Sequence, residues 1–448
     1  MRQRVTFLHK PEDGIDPALL KVTDSSLTGP SLKAAREDRV TLALEELPEE
    51  LRQDSFTPLP NDRFSHSTAF QYYQPLEDLS PFIKYAHEEL CPVSYSTPPE
   101  KTICNSRADH LLTASSLDIS YDTISHALKV TSTWGLQEQP LTIASPDNSN
   151  HRIEVGILGT DEPYGIEAHE LGLSGTLTVL GQDKKPSATI FKFPARHRHI
   201  EDASFSTEFL EPTGLHPALQ IQLNGEALKA PNADADDGSH CSLHAYLTLP
   251  RAIFADKYQL SDPLFLASKN LTALRYITQP VDLEAPAYTM KPWGSAALLE
   301  LSPPPAKPAG SPWTAEVPLH LRYQSPTLGG YKIVEAPYPA VFWACTTEEG
   351  TKFPSSPFER VNLGYDGLFG PRTVFWHVDP APKETGGRLI NQVRVPVLDM
   401  VKSEWISAGT AAVVLLGFGW IVWKLIAVYL KTGYGPAKQM KALEKKEQ

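Results

Sequence analysis

Two aspartates give this 448-residue sequence one spacing that is typical of metal chemistry. Asp234 and Asp236 form a DxD pair, and two carboxylates are the ligands that a divalent cation on a sugar nucleotide requires. The residues around the pair, NADADDGS, are small and acidic, which is typical of a solvated linker. We therefore predict that this pair does not bind a metal.

Histidines form the second group of residues that could do chemistry. His197 and His199, together with His151 and His169, would offer imidazole ligands to a transition metal. Alternating histidines beside an arginine are more typical of an exposed strand or loop, so we predict no metal site. His169 also begins an HExxH zinc motif, but Leu173 occupies the position of the second histidine.

Other common catalytic motifs are absent from the sequence. It contains no GxSxG nucleophile elbow, no phosphate-binding GxxxxGK[ST] loop and no dinucleotide-binding GxGxxG. The sequence thus predicts no catalytic residue, no bound cofactor and no metal, and it favours a protein that is not an enzyme.

Four cysteines, Cys91, Cys104, Cys241 and Cys345, have no CxxC or other metal-type spacing, so a zinc site is not expected. Two disulfides are possible in an oxidising compartment, and four cysteines allow three pairings. A bond between Cys241 and Cys345 is attractive because both belong to one predicted domain. Four buried thiols are the alternative.

The overall composition indicates the kind of secondary structure that carries these residues and the class of partner that is excluded. The sequence has 53 acidic and 41 basic residues and no basic stripe interleaved with aromatic residues, so we predict no nucleic-acid partner. Its 40 prolines are spread along the chain, which disfavours long helices and is typical of short strands joined by fixed turns. The predicted fold is mainly β, with sandwich-like strands and some N-terminal helix.

Two regions precede the C-terminal part of the chain. Residues 1–200 contain helix-like runs. From about residue 107 the sequence has the pattern of strands separated by turns, and a hairpin is predicted between SGTLTVLG and SATIFKFP. A break in the pattern near 195–204 and a loop near 231–240 place the domain boundary at about 200. Residues 201–402 read as a second domain of short alternating strands. The helix-like runs lie at 31–38, 41–53 and 75–90.

One stretch is long and apolar enough to cross a bilayer as a helix, from Ile406 to Leu430. Lys424 lies near one end, where its ammonium group can reach the headgroups, and aromatic residues flank the span. Residues 406–430 are thus a predicted transmembrane helix, and residues 431–448 a cytosolic tail. Five lysines and two glutamates follow Leu430, which favours a cytosolic C-terminus and a lumenal N-terminal region.

Three features bear on this orientation. The N-terminus has no apolar segment typical of a cleaved signal peptide, so a tail-anchored cytosolic protein is the rival topology. Asn270 begins an Asn-Leu-Thr glycosylation sequon, which matters only if that face is lumenal. Lys445 and Lys446 lie third and fourth from the C-terminus, like the dilysine signal for retrieval to the endoplasmic reticulum.

Two long motifs resemble the PIG-X family, in particular its fungal branch named for the protease-B-nonderepressible phenotype. The first is LHAYLTLPRAIFADKYQL (243–260) and the second is VPLHLRYQSPTLGGYKIVEAPYPAVFWAC (317–345), with a single span after them. The resemblance covers about 200–430, and the opening residues also look like the start of fungal members. We predict that its motif residues are sandwich core and turn formers rather than interface residues, among them Phe254, Tyr258, Arg322, Tyr323 and Tyr331.

The resemblance implies a function. PIG-X-like proteins are non-catalytic, glycosylated, single-span proteins of the endoplasmic reticulum membrane with a large lumenal region. They stabilise a multi-span, PIG-M-type mannosyltransferase, which adds the first mannose to the GPI-anchor precursor, and the fungal branch is also linked to folding or stability of other reticulum proteins. The alternatives are a general lumenal chaperone without a dedicated mannosyltransferase partner and a tail-anchored enzyme.

Overall fold

The computed structural model shows a mainly β protein with a long C-terminal helix, as predicted. Its strands fall into two large sheets and three small ones. The first large sheet uses strands up to Pro194 and the second begins at His197. The structure describes residues 1–43, 78–94, 98–122, 127–144, 151–160, 170–231, 240–278, 282–290, 294–304, 312–346, 364–382 and 389–432.

The described residues before His197 contain ten strands and three α-helices. The strands are β1 (Arg2–His9), β2 (Lys21–Val22), β3 (Ser26–Thr28), β4 (Leu32–Leu42), β5 (Ser116–Asp122), β6 (Ala127–Gln139), β7 (Thr142–Ala144), β8 (Arg152–Thr160), β9 (Glu170–Val179) and β10 (Ser187–Pro194). The helices are α1 (Ser80–Tyr85), which continues as a π-helical turn (Ala86–Leu90), α2 (Cys91–Ser94) and α3 (Pro98–His110).

Seven of these strands form the first large sheet in the order β10-β9-β8-β1-β4-β6-β5. Only the β1–β8 pair is parallel; the other pairs in this sheet are antiparallel. The predicted hairpin between 181 and 186 joins β9 to β10 and is confirmed. Strands β2, β3 and β7 form a separate small sheet.

The predicted helix over 31–38 is wrong, because these residues form part of β4. Leu32, Ala34, Arg36 and Asp38 are buried, and the residues between them are more exposed, which is the two-residue period of a strand. Pairing with β1 on one side and β6 on the other outweighs the helical propensity of the alanines. The predicted run 41–53 begins at the end of β4, and its residues from 44 onwards lie outside the described part.

Helix is confirmed within 75–90, where α1 and the π-helical turn lie. These helices, with α3, cover the end of the first sheet. Ile83, Leu90 and Ala108 pack with Leu42 and Leu128, which belong to the strands beneath. Helix α3 was not predicted.

From His197 onwards, the described residues contain twelve strands and one short α-helix before the C-terminal helix. The strands are β11 (His197–Phe209), β12 (Ala218–Leu223), β13 (Cys241–Pro250), β14 (Ile253–Phe254), β15 (Leu271–Ile277), β16 (Gly294–Leu301), β17 (Trp313–Pro318), β18 (His320–Leu321), β19 (Tyr331–Pro337), β20 (Ala340–Thr346), β21 (Thr373–Pro380) and β22 (Ile390–Pro396). The helix is α4 (Pro263–Ser268).

Eight of these strands form the second large sheet, in the order β15-β16-β13-β20-β21-β11-β12-β17. Alternate side chains point to opposite faces, as in β13, where Leu243 and Ala245 join one core and Tyr246 joins the other. The larger core also takes up Val334 and Val393 from the two-stranded β19–β22 ribbon. Burial on both faces explains why the central strands β13, β16 and β20 have nearly continuous apolar sequences, whereas β12 and β17 keep the predicted alternation.

The strand pattern breaks only at Ala195 and Arg196, between the two large sheets, whereas residues 197–204 of the predicted break form the first part of strand β11. The strand pairs with β21 on both sides of an irregularity between His199 and Ser204. Asp202 adopts a positive φ of 57° within it, and the Asn224 side chain donates to the Asp202 carbonyl at 2.7 Å. The polar residues at this bulge have the composition of a loop, but the strand continues through them.

The chain ends its described part in helix α5 (Met400–Thr432), which carries the predicted span. The segment from Met400 to Lys431 is long and apolar enough to cross a membrane, and its apolar side chains are exposed. Asp399 caps the helix by accepting a hydrogen bond from the Val401 N–H at 3.1 Å.

Candidate functional site

The two long motifs of the sequence meet in space. Strand β14 of the first motif pairs antiparallel with strand β18 of the second, so that Ile253 faces Leu321 and Phe254 faces His320. We call this contact the motif junction and define it by Phe254, His320 and Arg322. Because it unites segments about 66 positions apart, it depends on the tertiary fold.

Arg322 is the buried cation of the motif junction. Its guanidinium carbon lies 4.3 Å from the centre of the Phe254 ring, and its Nη1 donates to the Ala285 carbonyl at 2.8 Å. Burial lowers the pKa of Arg322, and the charge of Asp282 opposes this shift. A guanidinium held in this way joins three loops and does not face a reacting group.

His320 also packs on Phe254, with its ring stacked at 5.2 Å. Its Nε2 is 3.1 Å from the Gln259 side-chain oxygen, and its Nδ1 is 3.1 Å from Nδ1 of His216. Burial, and then the neighbouring His216, lower the pKa of His320, while Asp256 opposes the shift. The imidazole therefore belongs to the packing of the junction.

Exposed tyrosines flank these buried residues. Phe254 and Arg322 are buried, as expected of core residues, but Tyr258, Tyr323 and Tyr331 are 66%, 69% and 51% exposed, so they are not core residues. Tyr258 does lie in a turn, as the prediction of turn formers allows. Tyr288 is 64% exposed and lies next to Ala287, whose N–H donates to the Tyr323 carbonyl. We call Tyr258, Tyr288 and Tyr323 the tyrosine surface, and side chains of this kind are typical of protein interfaces.

Asn270 is exposed and lies between α4 and β15. It adopts a positive φ of 57°, the conformation in which asparagine commonly ends a helix. Its Nδ2 donates to the Thr314 carbonyl at 2.7 Å, and the adjacent Lys269 carbonyl accepts from the Glu316 N–H. These bonds bring edge strand β17 next to the start of edge strand β15, so the second sheet curls towards closure at this point.

All four cysteines are paired in the structure. Cys241 and Cys345 face each other on neighbouring strands β13 and β20 and form one disulfide. Cys91 and Cys104 form the other and join α2 to α3. The alternative of four buried thiols is therefore not what the structure shows.

The structure places His197 in a buried hydrogen-bonded network. Its Nδ1 lies 3.1 Å from Nε2 of His377, its Nε2 lies 3.3 Å from an oxygen of Asp366, and the Tyr365 hydroxyl lies 3.2 Å from Nε2 of His377. Burial, and then His197 and His199, lower the pKa of His377 to about 3. The network lies beside the smaller core, where the His197 ring stacks on the buried Phe375 ring at 5.0 Å.

Of the other histidines in the sequence pattern, His199 also lies beside His377, with ring centres 5.8 Å apart, and it is exposed and pairs with Asp379 at 2.6 Å. His151 is in a different place, because it precedes β8 of the first sheet. No group of three or more histidine, cysteine or acidic residues in the described ranges has the geometry of a metal site. Asp234, Asp236, His169, Lys445 and Lys446 lie outside the described residues.

Comparison with known proteins decides the family. The PIG-X / PBN1 family model matches residues 212–426, which include the second sheet from β12 onwards and most of α5. Protein pbn1 of Neurospora crassa is 52% identical over 97% of both chains, and Protein PBN1 of Gibberella zeae is 44% identical over the full length of both. The chain belongs to the PIG-X / PBN1 family.

Membership in the PIG-X / PBN1 family supports an accessory role in GPI-anchor biosynthesis, in association with a biosynthetic complex. The family is known as a non-catalytic subunit. One C-terminal apolar helix is compatible with single-pass anchoring of a large N-terminal region.

Sequence reasoning missed two features of this PIG-X / PBN1 chain. The exposure of Tyr258 and Tyr323 has no signal in the sequence, because tyrosine is common both in cores and on surfaces. The second feature is that the turn at 327–330 is bonded to the start of α5. The Gly329-Gly330 pair, where both residues have a positive φ, indicates the turn itself but not its bonding partner.

Proposed function

We propose that this chain is the non-catalytic subunit that stabilises the PIG-M-type catalytic subunit of GPI mannosyltransferase I in the endoplasmic reticulum membrane. That partner adds the first mannose to the GPI-anchor precursor. The observation that carries the proposal is the close similarity to PBN1 proteins over nearly the whole chain. In this proposal the chain also aids the folding or stability of other reticulum proteins.

In the proposed topology α5 spans the membrane once, residues 1–402 are lumenal and residues 431–448 are cytosolic. Two disulfides support this arrangement, because such bonds persist in oxidising compartments. The exposed Asn270 supports it as well, because a sequon needs a lumenal and accessible position. The lysines Lys445 and Lys446 would then face the cytosol, where retrieval signals are read.

Contact with the partner is proposed at two places. The tyrosine surface offers aromatic area to lumenal loops of the mannosyltransferase, at the place where both motifs converge. Helix α5 would pack laterally against its membrane helices. Gly409, Gly417 and Gly419 have open space where a side chain would stand, and small residues of this kind allow helices to approach closely.

The topology is best tested by changing Thr272 rather than Asn270. Replacing Asn270 removes both the sequon and its 2.7 Å bond to Thr314, whereas Thr272 is exposed on β15 and its hydroxyl donates only a long 3.4 Å bond to the Leu301 carbonyl. Thr272→Val destroys the sequon and keeps a β-branched side chain, and Thr272→Ser keeps the sequon as the matched control. We expect endoglycosidase H to shift the original chain and the serine variant on a gel, but not the valine variant.

A protease experiment on sealed microsomes completes this test. We expect the body to be protected and only the short tail to be cut. An unshifted chain whose body is digested from outside would establish the tail-anchored cytosolic topology and remove the proposed function.

The stabilising role is tested by depleting the chain in cells. We expect the level of the PIG-M-type mannosyltransferase and transfer of the first mannose to fall together, and the two proteins to co-purify. An equal loss of many unrelated lumenal proteins would favour a general chaperone.

Alanine at all three positions of the tyrosine surface should weaken co-purification, while Leu264→Ala, at another exposed site, serves as the control.

A further inference from the structure

A tight turn from the second domain is bonded to the first residues of helix α5. The Met400 N–H donates to the Thr327 carbonyl at 3.0 Å, and the Thr327 N–H donates to the Leu398 carbonyl at 3.1 Å. The Val397 N–H donates to the Gly330 carbonyl at 2.9 Å. The turn is thus held at a fixed distance from the residues that enter the apolar span.

Apolar side chains on and beside this turn face solvent. Leu328 at its tip is 73% exposed, Ile333 is 61% exposed and Leu398 is 40% exposed. Tyr331 is 51% exposed, and the guanidinium carbon of Arg394 lies 3.9 Å from the centre of its ring. We call these five residues the helix-start surface.

Helix geometry gives the distance from this surface to the apolar part of the span. Five residues separate Met400 from Trp405, which at helical rise corresponds to about 7.5 Å. Trp405 is 83% exposed and is the aromatic residue just before the uncharged run that starts at Ile406. The headgroup region on each side of a bilayer is roughly 5–8 Å thick. An upright helix therefore places Met400 and the bonded turn at headgroup level.

We propose that the helix-start surface rests in the lipid headgroup layer, as a second membrane contact besides the helix itself. The proposal rests on the proposed function only in that α5 must span the bilayer. Tyrosine and arginine side chains are suited to this layer because they combine an apolar body with a polar end. Leu328 would reach towards the acyl chains, and the contact would limit how far the body tilts about Met400.

This placement can be measured with one added thiol. All four native cysteines are in disulfides, so Leu328→Cys introduces the single reactive thiol of the chain. The full-length variant is labelled with an environment-sensitive fluorophore and reconstituted into phosphatidylcholine vesicles. Quenching is then compared between a lipid with a nitroxide on its headgroup and iodide in the water phase.

Two further labelled variants make the result decisive. Trp405→Cys reports on the span itself, and Ile190→Cys, a 79% exposed position on β10 of the first sheet, is the matched aliphatic control. We expect the label at 328 to lose most of its fluorescence to the nitroxide lipid and little to iodide, like the label at 405. The label at 190 should show the opposite pattern.

The outcomes separate this inference from the proposed function. If the label at 405 is quenched by lipid while the label at 328 is quenched by iodide, the helix spans and the helix-start surface is solvated, which overturns the inference alone. Protection of 328 from both quenchers would mean that a second copy of the chain covers the surface, which also overturns it. Loss of lipid quenching at 405 would overturn the span and both proposals.

Discussion

The guanidinium of Arg322 lies against the ring of Phe254, 4.3 Å from its centre, and thereby fastens the second family motif to the first. The same guanidinium donates to the carbonyl of Ala285, so three loops meet at one side chain. The exposed tyrosines of the tyrosine surface stand on this buried support. We therefore expect substitution of the buried residues of the motif junction to lower stability, and substitution in the tyrosine surface to weaken contact with the partner without lowering stability.

Phe254→Ala tests the buried half of the junction. We expect it to lower the free energy of unfolding by about 3–5 kcal/mol, because a buried aromatic ring is lost and the Arg322 guanidinium loses its packing partner. Tyr323→Ala, at a 69% exposed neighbour, should change stability by less than about 0.5 kcal/mol. Denaturant unfolding of the detergent-solubilised chain measures both, and equal losses would contradict this expectation.

The two disulfides should differ in how strongly they stabilise the fold. Cys241 and Cys345 are separated by 104 positions, and Cys91 and Cys104 by 13. Since a cross-link that closes a longer loop restricts the unfolded chain more, loss should cost about 4.7 kcal/mol for the first and about 3 kcal/mol for the second. Double alanine variants, compared by unfolding midpoint, test the order, and a greater loss for the shorter loop would refute it.

His377 should make the fold sensitive to acid. Burial lowers its pKa to about 3, while the unfolded chain restores a pKa of about 6.5. Below pH 6.5 the unfolded state therefore binds a proton that the folded state does not. Stability should fall as the pH falls from 6.5 towards 3, by about 1.4 kcal/mol per pH unit from this residue.

His377→Gln removes this titration and should flatten the dependence of the unfolding midpoint on pH between 6 and 4. The exposed His240→Gln provides the comparison for loss of a histidine outside this network. An unchanged slope in the His377 variant, relative to the original chain, would show that other groups set the acid sensitivity.

Gly330 should be required at the turn that holds the helix start. Its φ of 72° lies in the left-handed region, which costs other residues about 1–2 kcal/mol. We expect Gly330→Ala to lower stability by that amount and to expose the amide of Met400 to faster hydrogen exchange. Gly225→Ala, where an added carbon has open space and φ is ordinary, should have a smaller effect and leave that amide protected.

The sequence by itself determined the β-rich character, the strands with strict apolar alternation and the position of the apolar helix. Proline spread, two-residue periodicity and a long uncharged run are local properties, so they can be read without knowing which strands pair. Because these signals are local, they also explain why the secondary structure of two segments was predicted wrongly. The alanines of 31–38 and the polar residues of 197–204 carry local signals for helix and loop, which pairing within the sheets overrides.

Only the tertiary structure decided which distant residues meet. Nothing in the spacing of Phe254 and Arg322, of His197 and His377, or of Thr327 and Met400 indicates contact, because strand order sets these pairs. Exposure of the tyrosines was likewise decided by packing, since a tyrosine side chain suits a core or a surface equally well. Burial and pairing arise from the whole fold, whereas the sequence displays only neighbours along the chain.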